Sequence, residues 1–117
     1  MEELLGEVLE HIGRARSAED VEGLKLEAWM ARASLELFLV KLVLLYGLEE
    51  REPPSGPSVK RREQNRDLKL LNLAEEKVRE AQRAFCSGDY FLTYECVWYA
   101  KNALTKIVTS DSKVPGE

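Results

Sequence analysis

Apolar residues recur at three- and four-residue steps through much of the chain, the spacing of an amphipathic helix. From Glu2 to Arg16 the stripe is Leu4, Leu5, Val8, Leu9 and Ile12, which predicts a first helix. Ser17, followed by Ala18-Glu19-Asp20, reads as the N-cap of a second helix with acidic residues in its first turn. That helix is expected to run to about Tyr46, where Gly47 supplies a stop. Pro53, Pro54, Gly56 and Pro57 then forbid helix and mark a surface linker. A third helix resumes near Glu63 to Asp67, with Leu70, Leu71, Ala74, Val78, Ala81 and Phe85 as its buried stripe. Ser87-Gly88-Asp89 closes it and caps a fourth, Tyr90 to about Thr109, whose apolar positions include Leu92, Cys96, Tyr99, Ala103 and Ile107. Residues 110–117 read as a frayed tail.

The expectation is one all-α domain over 1–117: hairpin one at 2–48, a linker at 49–62, hairpin two at 63–109. Neither hairpin buries its apolar side alone, so the two pack face to face as a four-helix bundle. A shift of 69 positions superposes Asp20 on Asp89, Trp29 on Trp98, Ala31 on Ala100, Arg32 on Lys101 and Leu35 on Leu104. More loosely it matches Leu5 with Ala74, Leu9 with Val78 and Ile12 with Ala81. Internal duplication and chance similarity of amphipathic helices both account for this. In either case Trp29 and Trp98 are expected to pack into the bundle.

Between Leu35 and Tyr46 only Glu36 and Lys41 are polar, so helix two is apolar nearly all round. A surface helix does not carry such a pattern. A membrane span needs about 20 apolar residues, and extension back to Ala28 adds Arg32 to the two charges already present. Burial on two sides is the better reading, and it places Leu37, Val40 and Leu44 at the interface of a homodimer. The alternative is that the linker or tail covers this face within one chain.

The 117 residues are 44% hydrophobic and 32% charged, enough for an independent core. The net charge of −4 gives no general attraction to nucleic acid or anionic lipid. It is unevenly spread: through Glu52 there are 12 acidic and 6 basic residues, and from Pro53 onward 9 acidic and 11 basic. The two parts are therefore able to attract one another, or the second to meet an acidic partner. Lys60-Arg61-Arg62, continued by Arg66, is the one concentrated basic feature and the candidate contact for an anionic partner. Glu63, Asp67 and the acidic first half are its internal counter-charges, so nucleic-acid binding is expected to be weak at physiological salt. Glu2 and Glu3 after Met1 are unlike a secretory signal, and a cytoplasmic location is expected.

Candidate chemistry is sparse. Inward-facing metal sites in bundles use Glu-x-x-His pairs, and the sole histidine, His11, has Val8 three residues before it. Cys86 and Cys96 flank a tight turn at unequal distances, which predicts free thiols, buried or half-buried. A thiol nucleophile would need a base nearby, and His11 lies on the other hairpin. There is no Gly-rich phosphate loop, and Tyr90, Phe91, Tyr94, Trp98 and Tyr99 are read as packing residues rather than a base-stacking platform. These residues predict no catalytic site, cofactor or metal.

Ala74-x-x-x-Val78-x-x-Ala81-x-x-x-Phe85-x-x-Gly88-Asp89-Tyr90, followed by Ala100-Lys101-Asn102-Ala103-Leu104, resembles the helical-hairpin core of HEPN domains over about 35 residues. Tetratricopeptide and microtubule-interacting-and-trafficking hairpins share the Gly-Asp-Tyr turn, and small archaeal helical proteins are similar as well. The HEPN resemblance implies a homodimer that is a nucleic-acid-associated protein or the partner of a nucleotidyltransferase, as in toxin–antitoxin pairs. Its nuclease members carry an Arg followed four to six residues later by a His. No Arg precedes His11, so the resemblance does not bring ribonuclease activity with it. The leading expectation is a non-enzymatic interaction or assembly protein.

Overall fold

The computed structural model describes residues 1–48, 56–57 and 65–109. Four helices follow in order: α1 (Glu2–Arg16), α2 (Val21–Tyr46), α3 (Arg66–Cys86) and α4 (Tyr90–Val108). They form the all-α four-helix bundle that the periodicity predicts, with no strand among the described residues. α1 packs on α2 and α3 on α4, while α2 meets α4 and α1 meets α3, so α1/α4 and α2/α3 lie on the diagonals. Neighbours run antiparallel. Arg16 at the end of α1 reaches Asn72 and Glu75 early in α3, and Tyr46 at the end of α2 stacks on Tyr90 at the start of α4, centroids 4.1 Å apart.

Local chemistry sets the ends. Asp20, not Ser17, caps α2, its carboxylate accepting from Gly23 N at 2.7 Å. Ser17 instead ends α1, its hydroxyl donating to Gly13 O. Serine and aspartate both suit an N-cap, and it is the extended backbone at Asp20 (φ −134°, ψ 168°) that starts the helix. Gly47 ends α2 in the left-handed conformation at φ +61°, which a side chain would strain. Asp89 caps α4 by accepting from Leu92 N at 3.2 Å.

The core comprises Leu5, Val8, Ile12 and Ala15 of α1 and Ala28, Ala31, Leu35, Phe38, Leu39 and Leu42 of α2. α3 adds Leu70, Leu71, Ala74, Val78, Ala81 and Ala84, and α4 adds Val97, Ala100, Ala103, Leu104 and Ile107. Phe85 spans a diagonal to meet Phe38 edge-on at 5.6 Å. In α4 Cys96, Ala103 and Ile107 are buried as the spacing predicts, and Thr93 and Val97 join them, whereas Leu92 is exposed and Tyr99 half-buried. Thr93 tolerates burial because its hydroxyl donates to Asp89 O at 2.7 Å.

The pair Gly56–Pro57 lies on α4. A Cβ at Gly56 would sit 2.5 Å from Asn102 Cβ, so only glycine allows this approach, and the Lys106 ammonium donates to Pro57 O.

Candidate functional site

On α2 the inward positions take one side of the helix and leave Leu26, Trp29, Met30, Leu37, Val40 and Leu44 exposed on the opposite side. With Ala33 between them they follow steps of three and four residues and so form one continuous apolar stripe. At 1.5 Å per residue it extends about 27 Å from Leu26 to Leu44. The sequence-derived interface residues lie in it: Leu37 is 47% exposed, Val40 55% and Leu44 76%. Leu26, Trp29 and Met30 extend it toward the N-terminus. These three lie outside the run from Leu35 to Tyr46, and their three- and four-residue spacing is the signal in the sequence that places them on the same stripe.

Trp29 departs from expectation, being 53% exposed rather than packed into the bundle. Ala28 takes the inward position beside it, and helical geometry turns position 29 outward. Trp98, its counterpart in the 69-residue shift, is half-buried against the core. The Lys101 ammonium lies 3.7 Å from the centroid of the Trp98 ring, a cation–π contact. Lys101 has its pKa lowered, first by desolvation; Glu36 opposes this and Arg32 adds to it. Arg32 in turn pairs with Glu36 at 3.2 Å. This polar group at the α2–α4 seam was not anticipated, although the shift had already aligned Arg32 with Lys101.

The basic cluster is only partly placed. Lys60, Arg61 and Arg62 lie outside the described residues. Arg66 is turned inward, its side chain 16% exposed, with both terminal guanidinium nitrogens 3.4 Å from Lys106 O and an ion pair to Asp67 at 3.5 Å. Carbonyls in the last turn of a helix lack intrahelical donors, and Arg66 serves one of them on α4.

His11 belongs to a structural group: its Nδ1 lies 3.4 Å from Glu27 Oε2 and 3.2 Å from Arg14 Nη2, tying α1 to α2. The cysteines are free; Cys96 is buried, while Cys86 is exposed rather than half-buried. Burial pushes the Cys96 thiol up to about 12, and desolvation together with the Glu2 carboxylate raises Cys86. Both are therefore held as thiols rather than as the nucleophilic thiolate. Among the described residues no cluster of His, Cys, Asp and Glu is arranged to hold a metal ion, and no helix is long and apolar enough to cross a membrane. A cleft of about 350 Å³ at one end of the bundle is lined by Met1, Glu2, Glu3, Leu45, Tyr46 and Phe85. The α2 stripe is the more extensive feature. Comparison of the chain with protein-family models, curated proteins and solved structures finds no match.

Proposed function

We propose that this chain is a non-enzymatic helical interaction protein that assembles as a cytoplasmic homodimer through the outer face of α2. The observation that carries this reading is the uninterrupted stripe from Leu26 to Leu44, exposed on a helix whose other side is already buried in the core. Exposed apolar side chains in one contiguous band mark an interaction surface, because covering them releases ordered water. The reading without catalysis draws on the raised thiol pKa values and on the use of His11 as a helix-to-helix contact.

Sedimentation velocity over a concentration series tests it. The wild type is expected to dimerise at micromolar concentration, and Val40→Asp, which places an unpaired charge in the interface, to be monomeric with unchanged helical content. A wild type that stays monomeric at high micromolar concentration overturns the proposal. Submicromolar RNA binding that is lost on replacing Lys60, Arg61, Arg62 and Arg66 with Ala would instead favour a nucleic-acid-associated protein.

A further inference from the structure

We infer that the partner on the α2 stripe is a second copy packed antiparallel about a two-fold axis at Ala33, an arrangement that rests on the dimer reading above. The inner part of the stripe, from Leu26 to Val40, is arranged about this residue, while Leu44 beyond it falls level with the partner's Glu22. Trp29 and Leu37 lie four positions to either side of Ala33, and Leu26 and Val40 lie seven. Antiparallel pairing therefore sets Trp29 against the partner's Leu37 and Leu26 against the partner's Val40, with the smallest side chain where the two helices cross closest. Small residues at a crossing permit interaxial distances near the short end of about 8–10 Å.

Charge selects this orientation over the parallel one. Exposed Glu22 continues the stripe at its N-terminal end, and exposed Lys41 borders it near the C-terminal end. A parallel pair sets each beside its own copy. The antiparallel pair brings Glu22 within one helical turn of the partner's Lys41, twice by symmetry, and also opposes the two helix dipoles. The interface is isologous, so the assembly closes at two copies instead of growing.

Thiol cross-linking with a short bis-maleimide in a Cys86→Ser background tests the register, the buried Cys96 remaining protected. Ala33→Cys is expected to cross-link to itself. Leu44→Cys should not, because the two copies lie about 33 Å apart along the helix axis. Leu26→Cys and Val40→Cys should each give little product alone and should cross-link when mixed. Glu22→Lys and Lys41→Glu are each expected to weaken dimerisation several-fold, and the double exchange to restore it. Self-cross-linking of Leu44→Cys, or a double exchange no tighter than the single ones, in a protein that still sediments as a dimer overturns the antiparallel register alone. A monomeric wild type overturns the dimer itself.

Discussion

Trp29 and Trp98 occupy corresponding positions in the two hairpins and meet different surroundings. Trp98 packs on the core beneath Lys101, whereas Trp29 stands on the outer stripe of α2. Trp98→Ala is expected to destabilise the fold by about 2–3 kcal/mol, less than truncation of a fully buried aromatic. Trp29→Ala should change the stability of the dilute monomer by less than about 0.5 kcal/mol and weaken self-association instead. Urea unfolding at low protein concentration, alongside sedimentation, separates the two effects. Equal loss of fold stability in both variants would contradict this assignment.

Among the helices, α1 and α3 are joined through Arg16, which donates to Asn72 Oδ1 at 2.9 Å and pairs with Glu75. The Arg16 hydrogen bond is the main cause holding the Glu75 carboxyl below the usual range; burial opposes it and Arg79 assists. A carboxyl whose pKa falls on folding contributes stability above its unfolded pKa and loses that contribution as pH falls through the folded value. The wild type should therefore lose more stability than Glu75→Gln between neutral pH and about pH 3. Denaturant midpoints at the two pH values check this, and parallel pH profiles would show that the contact adds nothing. The pair also reverses the simplest reading of the charge asymmetry, because a base of the acidic half meets an acid of the basic half.

At the scale of the whole molecule the two hairpins share a pattern. Asp20 and Asp89 each cap a helix by accepting from the amide three residues on, and Ala31/Ala100 and Leu35/Leu104 are buried in both halves. Neither half is self-sufficient, because the side of each hairpin that carries these residues is covered by the other. Residues 1–48 alone are expected to show no cooperative thermal transition by circular dichroism, in contrast to the intact chain. A sharp, reversible transition in that fragment would mean that hairpin one is a domain in its own right.

The four helices, the two-hairpin order and most of the core of α1 and α3 are legible in the amino-acid sequence alone. These depend on local signals: three- and four-residue spacing, a left-handed glycine at 47 and an aspartate cap at 89. Part of the α2 stripe is legible there as well, since a helix apolar all round needs cover on two sides. The packing of α1 and α4 against α2 decided how far that outer stripe runs, because it took Ala28 and Ala31 as core together with Leu35, Phe38 and Leu42. That choice turned Trp29 outward. Likewise, Arg66 reads in sequence as part of a basic cluster. Its inward turn depends on the Lys106 carbonyl, forty residues away, which reaches it only when α3 and α4 fold back on each other.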